Sequence, residues 1–79
     1  MRYVYMLESV SSPERHYVGC TSDLKKRFAD HNDRHAPHTS KFGPWKLPSY
    51  VAFADHDAAN RFERYLKTGS GRAFAKRHF

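Results

Sequence analysis

Tyrosines recur early in the chain in two short runs, YVY from Tyr3 to Tyr5 and YVG from Tyr17 to Gly19. Side chains alternate faces along an extended strand, so Tyr3 and Tyr5 share a face, as do Tyr17 and Gly19. A hairpin centred near Ser11 sets Tyr5 opposite Tyr17. Two phenols side by side can hold and deprotonate a water. The same pair is equally an ordinary cross-strand aromatic contact, because tyrosine is a good strand former.

Three further side chains could join them. Arg27 can grip a phosphate through its bidentate fork, although it also belongs to the basic surface run Lys25-Lys26-Arg27. His31, one helical turn on, titrates near neutral pH and can orient or deprotonate a nucleophile; a plain surface histidine is the competing reading. Glu63 is the only acid after Asp57 and is set among Arg61, Arg64 and Lys67. A lone carboxylate in basic surroundings can hold Mg²⁺, with water and substrate phosphate completing the shell. The alternative is an i, i+4 ion pair with Lys67. His31, His35 and His38 make a poor zinc set, with Cys20 distant and no H-E-x-x-H pattern.

Positioning these groups requires a small layered domain. RYVYMLE over 2–8 and RHYVGC over 15–20 predict two strands joined through a turn at Ser11-Ser12-Pro13. A helix follows over 23–33, started by the Thr21 or Ser22 hydroxyl with Asp23 at the positive end of the dipole. Leu24 and Phe28 form its inner stripe, and Arg27 with His31 emerges beside it. Residues 34–48, with Pro37, Pro44, Pro48 and Trp45, read as irregular. SYVAFA over 49–54 predicts a third strand. Asp55 or Asp57 then caps a helix over 57–67 whose buried stripe is Ala59, Phe62 and Leu66. Thr68-Gly69-Ser70-Gly71 ends it and opens a short basic helix. The order is β-β-α-β-α-α, a three-stranded antiparallel sheet flanked by helices in an α+β fold. YVYML is apolar at both parities, which demands burial on both faces of the sheet.

Seventy-nine residues allow a single domain, 1–79, with a modest core. One cysteine excludes an internal disulfide and suits a reducing, cytoplasmic setting. The chain shows no apolar stretch of membrane-spanning length. Lys and Arg number 14 against eight acids, a formal charge of +6. The balance is uneven: residues 41–79 carry eight basic and three acidic side chains, and five basic residues follow Glu63 with no acid. Such a segment suits a polyanion, because neutralising phosphates releases condensed counterions. A solvated basic face is the plainer account.

Taken in order, YVY, YVG, Arg27 on a helix and Glu63 on a later helix resemble the GIY-YIG nuclease superfamily, most of all its small stand-alone bacterial branch. YVGCTSDLKKRFADHN, PHTSKFGPWKL and RYLKTGSGRAFAKRHF extend the resemblance over nearly the whole chain. It implies a metal-dependent endonuclease using one Mg²⁺ or Mn²⁺ ion, acting on nucleic acid, DNA before RNA. Tyr5 and Tyr17 match the motif tyrosines, Arg27 the catalytic arginine, Glu63 the metal-binding glutamate and Gly19 the motif glycine. His31 falls where some members carry a histidine. Tyr17 is the expected general base, supported by Tyr5 and relayed by His31, with the metal, Arg27 and Lys26 as the candidate cations that lower its pKa. Lys26, Lys67, Arg72, Lys76 and Arg77 are the expected backbone contacts. Two positions depart from the family pattern: Tyr3 stands where the first motif glycine belongs, narrowing the site, and no asparagine follows Glu63. A module on the same fold that binds nucleic acid without cutting it is the alternative.

Overall fold

A computed structural model describes residues 1–33 and 40–79. The strands are β1 (Arg2–Ser9), β2 (His16–Thr21) and β3 (Trp45–Phe53); the α-helices are α1 (Leu24–His31), α2 (His56–Leu66) and α3 (Gly69–His78). The sheet is antiparallel in the order β2-β1-β3, which leaves β1 in the centre. This is the expected α+β order of strands and helices.

The double burial of β1 follows from its two parities. Val4 and Met6 pack against Ala59 and Leu66 of α2, with Phe74 and Ala75 of α3 alongside. Tyr5 and Leu7 pack with Trp45, Leu24, Phe28, Phe42 and Leu47 on the other face. The sheet therefore carries α1 on one side and the α2–α3 pair on the other. The predicted stripe of α2 holds: Ala59 is 0% exposed, Leu66 is 2% exposed and Phe62 packs beside them.

Three local expectations are corrected. The hairpin register pairs Tyr5 with Gly19 and Leu7 with Tyr17, so it centres one residue later than Ser11. Tyr5 and Tyr17 are diagonal neighbours, not opposite ones. The third strand begins at Trp45 and runs through Pro48, inside the segment expected to be irregular. Pairing shifts between Met6–Ser49 and Glu8–Lys46, so Leu47 and Pro48 together face Leu7 in a bulge on an edge strand. Proline lacks an N–H to donate, and a bulge at an edge is where a strand tolerates that. Trp45 is pinned from across the fold, its N–H donating to Asn32 Oδ1 at 2.6 Å while Asn32 Nδ2 donates to its carbonyl.

The caps also differ in part. Asp23 itself caps α1, its carboxylate accepting from Lys26 N–H at 3.1 Å, and Thr21 Oγ1 accepts from Asp23 N–H. Asp55 caps α2 through Asp57 N–H. Thr68 joins α2 to α3: its hydroxyl donates to Tyr65 C=O and accepts from Gly71 N–H. At Gly71 an added Cβ would lie 1.8 Å from the Tyr65 carbonyl oxygen, so the close helix junction needs glycine.

Candidate active site

Tyr5 leaves the centre of the sheet on the α1 face and is 1% exposed. Its ring lies across β2 directly over Gly19, where an added Cβ would meet the phenol oxygen at 2.3 Å and Cζ at 2.4 Å. That contact is the physical reason for glycine in YVG. Beyond it, Tyr5 Oη and His31 Nε2 are hydrogen-bonded at 2.8 Å. His31 ends α1, the helix that runs over the same face, and is itself buried.

Tyr17 completes the cluster. Its ring centroid is 4.7 Å from that of His31 and 6.3 Å from that of Tyr5. Tyr17 is half-buried, so its phenol has a route to solvent that Tyr5 lacks. Arg27 projects from α1 one turn before His31 and is exposed, and its guanidinium comes close enough to Tyr5 to favour the phenolate.

The electrostatics separate the two tyrosines. Burial, then the neighbouring Tyr17, drives the Tyr5 phenol well above its ordinary range, and Arg27 offsets only part of this. Burial, then the Arg27 charge, holds His31 below its ordinary value. At neutral pH the Tyr5–His31 bond therefore joins two uncharged groups. Tyr5 is a fixed hydrogen-bonding post for a neutral imidazole.

Glu63 arrives from the other side. It belongs to α2, which packs on the opposite sheet face, and its carboxylate pairs with Lys67 Nζ at 2.5 Å. One turn earlier on that helix, Asn60 Oδ1 accepts from Cys20 Sγ–H of β2 at 3.6 Å. Asn60 and Glu63 share a helix flank, so Glu63 runs alongside the outer strand that carries Tyr17 and Gly19. The fold thus gathers Tyr5, Tyr17, Arg27 and His31 on one face and sets Glu63 in the layer beyond the edge strand. Among the described residues no group of three or more His, Cys, Asp and Glu could hold a metal. A single carboxylate is nonetheless a donor set that fits Mg²⁺, which keeps most of its water and takes up phosphate oxygens. The surface ion pair with Lys67 is worth at most about 1 kcal/mol and yields readily. His35 and His38 lie outside the described residues.

The expected backbone contacts are divided. Lys26 stands on α1, exposed and paired with Asp30 at 3.1 Å. Lys67 is held by Glu63. Arg72 and Lys76 line a cavity of about 510 Å³ on the α2–α3 side, with Met6, Leu66 and Phe79 beside them. Arg77 is exposed near the end of α3. The Tyr3 ring meets Tyr50 of β3 edge-on, 6.0 Å between centroids. Sequence reasoning passed over Tyr50. Period two counted from Trp45 would have put it on the opposite face; the bulge at Leu47 and Pro48 switches the parity and brings Tyr50 to the Tyr5 face.

A family model described as the GIY-YIG catalytic domain matches residues 1–77. The chain is 35% identical over 65 residues to a structure-specific endonuclease subunit SLX1 homolog of Giardia intestinalis, covering 77% of this chain and 18% of that protein. It is 37% identical over 82 residues to structure-specific endonuclease subunit SLX1 of Candida dubliniensis, covering 95% of this chain and 27% of that protein. The chain therefore spans roughly a fifth to a quarter of the length of these relatives.

Proposed function

The chain belongs to the GIY-YIG family, and on that premise we propose that it is a divalent-metal-dependent endonuclease hydrolysing phosphodiester bonds, of DNA before RNA. The observation that carries the reading is the buried Tyr5–His31 hydrogen bond with the Tyr17 ring tilted against the imidazole and Arg27 at its rim. The free Cys20 thiol suits a reducing compartment such as the cytoplasm. No helix among the described residues is long and apolar enough to cross a membrane.

Tyr17, the more accessible phenol, takes the proton of the attacking water, and His31, neutral at pH 7, relays it. Tyr5 holds the imidazole in place through its 2.8 Å bond. Arg27 presents fixed positive charge to the phosphoryl oxygens as their charge rises. Glu63 is the residue that would hold the metal, in exchange for its surface pair with Lys67. A single Mg²⁺ or Mn²⁺ bound there supplies positive charge to the scissile phosphate and the departing 3′ oxygen. Water adds at phosphorus, the P–O3′ bond breaks and the 3′ oxygen takes a proton, giving a 5′-phosphate and a 3′-hydroxyl. Lys26, Lys67, Arg72, Lys76 and Arg77 contact the backbone without reading sequence.

A second reading draws on the Glu63–Lys67 pairing: with the carboxylate neutralised, the fold binds nucleic acid and does not cut. Glu63→Gln separates the two. Under the nuclease reading, metal-dependent cleavage across single-stranded, duplex, flap and branched substrates is abolished. Affinity measured without metal is unchanged or slightly higher. Tight binding by the wild-type chain with no cleavage of any substrate would leave the binding module.

A further inference from the structure

The α1 face carries a feature that the cleavage chemistry leaves unused. Between α1 and β3 lies an open groove of about 520 Å³, lined by Tyr3, Leu24, Phe28, Leu47 and Tyr50, with Lys25 at its mouth. Tyr50 is 53% exposed, an unusual setting for a large ring whose edge-on partner Tyr3 stands behind it. Asp23 also borders the groove, but its carboxylate is committed to capping α1 through Lys26 N–H. The polar groups left at the edge for a ligand are the Lys25 ammonium and the Ser22 hydroxyl, beside an Asp23 carboxylate that keeps its charge while it caps the helix.

The position of the groove ties it to the site. Tyr50 is the register partner of Tyr5, so the two rings leave adjacent strands on the same face. Lys25 and Arg27 are two residues apart on α1, about 200° around the helix, and so stand on its opposite flanks. Arg27 and His31 look toward Tyr5, while Lys25, Leu24 and Phe28 line the groove. Only the width of α1, about 10 Å, separates the two. A flexible strand can cross that distance; a rigid duplex cannot send a stacked base into a groove floored by side chains.

We propose that this groove receives an unpaired nucleobase of the substrate, stacked on Tyr50, with Lys25 on the adjoining phosphate. The substrate class is then nucleic acid with an unpaired segment next to the cleaved bond. This inference rests on the nuclease reading for the strand concerned. Stacking suits the groove because every base presents a π-face and exposed aromatics are sequence-tolerant platforms. A base inside a helix must first leave its stack, and an unpaired one is already free.

The test compares two labelled DNA probes without metal, a duplex with a short unpaired arm and the same duplex without it. The wild type, Tyr50→Ala and Tyr50→Phe are each titrated by fluorescence anisotropy. Tyr50→Ala weakens binding of the armed probe about tenfold, leaves the plain duplex unchanged, and Tyr50→Phe behaves as wild type. A 2-aminopurine in the arm is quenched on binding wild type and Tyr50→Phe, and stays bright with Tyr50→Ala. Equal affinity of wild type and Tyr50→Ala for the armed probe, or an equal loss on both probes, overturns the proposal. Cleavage followed in parallel keeps the two ideas apart. Metal-dependent cutting with no dependence on Tyr50 sinks the groove and spares the nuclease; Tyr50-dependent binding without cutting does the reverse.

Discussion

On the α2–α3 side of the sheet, Val4, Met6, Ala59 and Leu66 form a core of apolar side chains. On the α1 side, Tyr5, Leu7 and Trp45 share their burial with polar groups, because Ser9, Thr21 and His31 all lie there. Each is matched: Ser9 Oγ donates to Phe42 C=O, Thr21 Oγ1 accepts from Asp23 N–H, and His31 meets Tyr5. Burying polar groups stabilises less than burying methyls, and leaving one unmatched costs about 1–3 kcal/mol. One face thus supplies stability, and the other spends part of it to hold ionisable groups in a fixed, dry arrangement.

A pair of truncations tests this division most sharply. Leu66→Ala should lower stability by about 2–5 kcal/mol, enough to unfold much of so small a domain, as read in thermal melts. Arg27→Ala removes an exposed side chain, so the melting temperature should hardly move while cleavage falls about 10²–10³-fold. Should Arg27→Ala unfold the chain, or Leu66→Ala melt like wild type, the assignment of stability and chemistry to separate faces fails.

Gly19→Ala probes the border of the two roles. The new methyl meets the Tyr5 phenol and forces the ring off its bond to His31, costing about 1–3 kcal/mol of stability together with most of the cleavage. Chemical denaturation alongside an initial-rate assay checks it; full activity would show that the Tyr5 ring can move without consequence.

The polar face should also respond to acid. His31 is held below its ordinary value of 6.5 by burial and Arg27. Above pH 6.5 the folded and unfolded chains both carry it neutral, and it has no effect on the balance. As pH falls below that value the unfolded chain takes the proton first, so stability is lost progressively down to the lowered folded pKa. Melting temperatures of wild type and His31→Gln between pH 7.5 and 5.5 isolate this contribution. The wild type should lose more on acidification; parallel curves would mean that His31 is not held neutral by burial.

The smallest expected effect concerns reach across the faces. Arg72 and Lys76 sit on the α2–α3 side, yet they are proposed to touch the substrate backbone. Arg72→Ala with Lys76→Ala should weaken binding a few-fold on any sequence and flatten the salt dependence by about one log-log unit per contact. An unchanged slope would confine the nucleic acid to the α1 face.

Much of this molecule is legible without coordinates because the signals are local. The density of β-branched and aromatic residues in RYVYMLE, the i, i+4 stripe Phe62–Leu66 with Ala59, and the capping group Asp55 act within a few residues. They fix the elements, and the two-sided apolar run of β1 fixes its central place. The ordered tyrosines, Arg27 and the glycine of YVG likewise mark one face. What the tertiary structure alone decided depends on groups far apart in the chain. A one-residue change in the β1–β2 turn sets the register, and with it Tyr5 over Gly19. Asn32, reaching 13 residues on, holds Trp45 and lengthens β3 past Pro48. The Tyr5–His31 bond spans 26 residues, so no local pattern announces it. The same holds for the placing of Glu63: helical phase says which neighbours it shares, but only the packing of α2 says which face of the sheet it serves.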